Sequence, residues 1–245
     1  MSQVQAGPNF SRYFKDTNTL LYSYLSVLPL FILYEILIII SQPDSAAIVR
    51  ISVDVWFKSI FMAFGVDALS FTFYIAAIIG AVILYKSRHR LSSIKPSYFF
   101  WMLLESVFYA ILFALLISTA VTLLLNMTSD GSFASFTKLQ MLALSLGAGL
   151  YEELFFRVIL VGLLVWLFSK VFEKKWVVYF IAAILAATLF SAVHYIGEYG
   201  DSFAIGSFLF RFLFGLALNV IYVIRGFGMA AWTHALYDII IVLGS

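Results

Sequence analysis

Apolar runs of about 20 residues recur along the chain, each long enough at ~1.5 Å per helical residue to cross ~30 Å of hydrocarbon. Leu20 to Ile40 is the first of them. A lipid interior offers backbone N–H and C=O groups no solvent partner, so only helices or closed barrels cross it. These runs are apolar on every side rather than alternating, which argues against a porin-type barrel. Composition points the same way: 63% of residues are hydrophobic and 11% charged, against about 25% charged in a soluble domain. So few charges cannot cover a water-soluble surface.

Spans are expected at 20–41, 66–85, 98–126, 136–169, 176–196, 204–224 and 226–243. The 136–169 stretch exceeds a simple crossing, so tilt or interfacial first turns are expected there. Between the first two spans, residues 45–65 carry Arg50, Asp54 and Lys58 at i, i+4 and i+8. That spacing lines one helical face with charge and leaves Val49, Val53, Trp56 and Ile60 to another, as in an amphipathic helix lying at the interface. With the N-terminus in the cytoplasm, inside segments hold Arg12, Lys15, Lys86, Arg88, Arg90, Lys95, Lys170, Lys174, Lys175 and Arg225. Outside segments hold only Arg50, Lys58 and Lys138, with acidic Asp130, Glu198 and Asp201. This asymmetry follows the positive-inside rule.

The expected fold is therefore an all-α, polytopic transmembrane helical bundle with about seven spans plus one interfacial amphipathic helix. Its expected place is the cell (plasma) membrane, N-terminus cytoplasmic. The first 17 residues are polar and mixed and do not read as a cleavable signal. No repeat, low-complexity tract or linker divides the chain. Residues 1–135 read as a cytosolic segment and spans without a chemical motif, and 136–245 as the motif-bearing core of one continuous membrane domain. The absence of cysteine excludes disulfides and thiolate chemistry. A net charge of +2 without a basic patch gives no reason to expect nucleic acid as a partner. The sequon Asn126-Met127-Thr128 is too short a pattern to carry weight.

Apart from Asp67 and Lys138 at span ends, nine ionisable residues fall inside the expected spans: Glu35, Glu105, Glu152, Glu153, Arg157, His194, Arg211, His234 and Asp238. Each costs a few kcal/mol or more near the bilayer centre unless paired or hydrated. Glu153 and Arg157 stand four apart and read as an intrahelical ion pair, mostly structural. Glu152, about 100° around an α-helix from its neighbour, lacks a local cation and needs a partner from another helix. An isolated carboxylate of that kind suits proton exchange with a reactant. Two of the three histidines lie in later spans. His234 and Asp238 share a helical face, so the carboxylate can orient the imidazole; Phe190 stands four before His194 and can pack on its ring. Glu35, Glu105 and Arg211 read as structural, Arg211 pairing with Glu105 or Glu198, and Asn219 as an interhelical donor.

Depth supports convergence. Glu152 lies 18 residues from Lys170, and His194 lies 19 from Lys175 on the next, antiparallel span. At ~1.5 Å per residue both stand roughly 27–29 Å from one membrane face. Asp238 and His234 are 13 and 9 residues from Arg225, shallower but within reach of a tilted helix.

Glu152-Glu153-xxx-Arg157, Phe190-xxx-His194 and His234-xxx-Asp238, in this order on separate spans, resemble the CPBP family. That family, also called Abi, includes CAAX prenyl proteases and bacteriocin-processing enzymes. The resemblance covers roughly 136–243. It implies a glutamate-dependent intramembrane endopeptidase, without metal or cofactor, acting on a membrane-associated polypeptide, CAAX-like or a leader peptide. On it Glu152 and His194 activate a water, while His234 and the residue four beyond stabilise the oxyanion. Glu153, Arg157 and Phe190 complete the motifs. The prenyl proteases carry Asn at the last position; Asp238 cannot donate when ionised, so it is expected to act by orienting His234.

Three other readings compete. Glu152, His194 and His234 could serve as zinc ligands, although HExxH is absent. A non-catalytic membrane scaffold or immunity protein could retain the residues as a remnant. A proton-coupled transporter also uses intramembrane carboxylates and histidines, but neither repeated halves nor broken helix pairs are visible.

Overall fold

Helix starts in this chain are set by local chemistry. Thr19 caps the helix Leu20–Ser41 by accepting from the Tyr22 N–H, Thr137 and Gln140 form a reciprocal capping box, and Pro96 opens a 30-residue helix. In the computed structural model residues 10–42, 49–65, 68–125, 136–197 and 200–244 are described, with backbone alone for 68–71 and 125. The elements are α1 (Phe10–Thr17), α2 (Leu20–Ser41), α3 (Ser52–Ala63), α4 (Ala68–Lys86), a 3₁₀ segment (Arg88–Ser93), α5 (Pro96–Leu125), α6 (Lys138–Gly147), α7 (Gly162–Phe168), α8 (Lys175–Val193), α9 (Ile205–Arg225) and α10 (Phe227–Gly244). Between α6 and α7 the helix continues through two π-helical segments, Ala148–Glu152 and Leu154–Val161. No strand occurs among the described residues.

The protein is a helical membrane bundle. Five helices, α2, α5, α8, α9 and α10, are long and apolar enough to cross a membrane by length and composition. The other two expected spans correspond to α4 and to the composite helix Lys138–Phe168, whose α-helical continuity the π turns interrupt. The sequon at 126–128, and Asp130 and Glu198, lie outside the described residues.

Helix α10 is central, packing on α2, α5, α6, α9 and the first π segment. Small residues allow this approach, as is usual where membrane helices have no hydrophobic drive between them. A Cβ on Gly149 would stand 2.5 Å from the Ala231 carbonyl oxygen and 2.6 Å from Ala235 Cβ. Those are backbone and stub atoms that cannot swing away. Gly149→Ala is therefore expected to cost about 1–3 kcal/mol through overpacking, read as a lower unfolding midpoint in detergent. An unchanged midpoint would show that the two helices are less tightly apposed.

Two buried ionic clusters brace the bundle. At one end Arg225 donates Nε–H to Glu105 Oε1 at 2.6 Å and Nη2–H to Oε2 at 2.7 Å, while Tyr13 and Tyr109 donate to the same carboxylate. This joins α1, α5 and α9. Arg211 instead pairs with Asp201, not Glu105. The second cluster corrects the reading of α3. The helix is amphipathic, but its charged face is turned inward. Lys58 and Arg50 both donate to Glu35 of α2 and to Asp54, Tyr34 donates to Asp54 at 2.7 Å, and Tyr151 donates to Glu35 at 3.3 Å. Val55, Trp56, Ile60 and Met62 face outward. Two carboxylates and two cations balance as a set, which is how such charges are kept inside a membrane bundle. Asn219 donates across helices to the Ala183 carbonyl at 3.1 Å.

Candidate active site

Tyr151 and Glu152 end the first π-helical segment of the composite helix, and Glu153 stands between it and the second. A π turn holds more residues than an α turn, so consecutive side chains diverge by less than the ~100° of an α-helix. Both carboxylates face neighbouring helices from this one short stretch, Glu152 toward α8 and Glu153 toward α10. π-bulges of this kind recur at functional sites.

Glu153 is fully buried and takes two partners through the same oxygen. Arg157 Nη1 lies 2.8 Å from Oε1, the pair expected from the i, i+4 spacing, and His234 Nδ1 lies 2.7 Å from it. Arg157 also donates Nη2–H to the Gly215 carbonyl at 3.3 Å and lays its guanidinium over the Phe190 ring, 4.5 Å from the centroid. The expectation that Asp238 accepts the imidazole N–H of His234 is corrected. Asp238 Oδ2 stands 3.6 Å from Nε2, beyond a hydrogen bond, and the bonded partner is Glu153. The shared face predicted proximity, but Glu153, from another helix, comes closer.

Opposite this anchored imidazole stands a looser pair. His194 caps the C-terminus of α8, and its Nδ1 is 2.8 Å from the Phe190 carbonyl oxygen. A carbonyl only accepts, so Nδ1 carries the hydrogen and a neutral ring leaves the Nε2 lone pair free. Nε2 looks at Glu152 Oε2 across 3.9 Å. Oε2 is buried and accepts no hydrogen bond from the described protein groups. Two acceptors at this separation do not bond each other. One water oxygen lying beside both, about 2.8 Å from each, would donate to both.

Aromatic rings hold the histidines in place. Phe190 meets His194 edge-on at 5.2 Å and His234 at 5.7 Å, and Phe214 of α9 meets His234 at 5.5 Å. All seven expected residues, Glu152, Glu153, Arg157, Phe190, His194, His234 and Asp238, lie in this one cluster. The chain pattern did not reveal Phe214, the Gly215 carbonyl or the link from Tyr151 to Glu35. None of them stands at a spacing that marks it. Among the described residues no group of three His, Asp or Glu side chains is arranged to hold a metal ion.

Residues 133–240 match the family model described as Type II CAAX prenyl endopeptidase Rce1-like, a segment that contains every residue of the cluster. No curated protein and no solved structure matches the chain.

Proposed function

We propose, from the membership of residues 133–240 in the type II CAAX prenyl endopeptidase Rce1-like family, that this multi-pass membrane protein hydrolyses peptide bonds with Glu152 as its general base. The family is one of CAAX-type intramembrane endopeptidases. The observation that carries the mechanism is the 3.9 Å spacing of Glu152 Oε2 and His194 Nε2, each with a free lone pair. A water between them gives up a proton as its oxygen attacks the scissile carbonyl carbon. That proton then passes to the departing amine, so atoms and charge balance over the cycle.

The tetrahedral oxyanion needs a donor. His234, as imidazolium, gives Nδ1–H to Glu153 and keeps Nε2–H for the oxyanion. Asp238, near Nε2, favours that charged ring but donates nothing itself when ionised. Glu153, Arg157 and Phe190 serve as positioning residues. The substrate is a membrane-associated polypeptide, the membrane the plasma membrane, and the N-terminus cytoplasmic. Residues 136–245 form the catalytic core and the preceding helices brace it.

The test compares membrane proteomes of cells carrying the wild-type protein or Glu152→Gln. At least one polypeptide should remain uncut in the variant; identical cleavage patterns would overturn the reading. The zinc alternative separates on metal removal. Strong chelators should leave the purified protein's cleavage rate within about twofold of the untreated rate, and elemental analysis should find no stoichiometric zinc. Parallel loss of zinc and activity would transfer the case to a metalloprotease.

A further inference from the structure

We infer that the candidate site opens on the non-cytoplasmic face of the membrane and acts on polypeptides displayed there, as the extracytoplasmic end of a membrane-anchored or exported chain. This rests on the peptidase reading above.

The first observation is position. Helix α8 runs from Lys175 to Val193 and His194 caps it. Its 19 residues span about 28 Å, close to the ~30 Å of the hydrocarbon core. Helix α9 runs back beside it, with Ser191 donating to the Phe208 carbonyl near one end and Asn219 to the Ala183 carbonyl further along. His194 and the 195–204 connection thus stand at one membrane boundary, and Lys175 and Arg225 at the other. Aromatic side chains mark both boundaries, as interfacial belts do. Trp166, under the Lys170 ammonium, and exposed Trp176 lie at the lysine end. Tyr195 packs against exposed Phe203 at the site end. The more exposed members of the cluster are His194 and Asp238, at 25% and 29% of their side-chain surface, against 4% for His234 and none for Glu153. The cluster is therefore reached from the His194 end.

The second observation is charge. Asn18 of the α1–α2 junction donates to the Ile224 carbonyl, the Lys95 N–H donates to Tyr22 of α2, and Lys15 and Arg90 line one cleft. These contacts gather the basic residues of α1 and of the 3₁₀ segment at the lysine end, beside Arg225, which is itself buried against Glu105. Near the site end, Arg50 and Lys58 are buried against Glu35 and Asp54, and Arg211 is paired with Asp201. Pairing strengthens the asymmetry already visible in the sequence, because cations neutralised inside the protein present little charge to the membrane surface. By the positive-inside rule the lysine end is cytoplasmic. The site then faces the other compartment.

The chain has no cysteine, so single substitutions report cleanly. In intact cells a membrane-impermeant thiol reagent should label Ser202→Cys, while Ser169→Cys and Ser87→Cys should label only after permeabilisation. In parallel, cut sites present with wild type and lost with Glu152→Gln should map to segments on the non-cytoplasmic side. Reversed labelling, or lost cuts confined to cytoplasmic segments, would overturn the inference while leaving the peptidase standing. If Glu152→Gln changes no cut at all, the peptidase reading itself fails, and this inference with it.

Discussion

Glu152→Ala is expected to lower the cleavage rate of the purified protein by about two to four orders of magnitude, the range general acid–base groups contribute. Folding should not suffer in step. Glu152 Oε2 has no hydrogen-bond partner among the described protein groups, and its nearest cationic candidate, His194, is 3.9 Å away. Removing it strands no partner and relieves the burial of a carboxylate. Yield, membrane insertion and detergent unfolding midpoint should therefore match wild type or exceed it. The conservative Glu152→Gln variant should be equally inactive, because an amide keeps the volume but cannot take the water's proton. Cleavage by either variant within a few-fold of wild type would remove Glu152 from the chemistry, whatever its position.

The same residue shows what a chain pattern can and cannot reveal. Matching depths of Glu152 and His194 followed from helical rise and from two lysine clusters, because a span's length is set by the membrane rather than by its neighbours. The pairing of Glu153 with Arg157 followed from i, i+4 spacing for the same local reason. Glu153's grip on His234 was hidden, since the two residues stand 81 apart on separate helices and no local spacing links them. Helix α3 illustrates the limit from another side. Its period announced a charged face, but period alone does not say which face is buried. That was decided by Glu35 and Tyr34 on α2 and Tyr151 on the π segment, which compensate Arg50, Asp54 and Lys58. Glu105 and Arg225 are separated by 120 residues, and no local spacing links them.

The buried Glu153–Arg157 pair carries the largest expected stability effect. Arg157 is 1% exposed, and its removal leaves Glu153 with only His234 as a neutralising neighbour. Arg157→Ala is expected to destabilise by about 3–5 kcal/mol, the cost of breaking one side of a buried pair. The loss would appear as poor folded yield and a lowered midpoint in detergent. Glu153→Gln in the same chain takes away the stranded charge, so the double variant should regain most of that stability; the coupling is the quantity a double-mutant cycle reads. Activity should not return with it. An amide in place of the Glu153 carboxylate would no longer hold His234 Nδ1 as a charged acceptor does, and the ring would lose both its anchor and the charge that favours its imidazolium form. A double variant that is stable but slow, with kcat reduced and KM little changed, is the signature of a positioning role exercised through His234. Recovery of both stability and cleavage would reduce the Glu153–Arg157 pair to a structural brace. Undiminished stability of Arg157→Ala alone would show that His234 suffices to neutralise Glu153, leaving Arg157 with its place over Phe190 and at the Gly215 carbonyl.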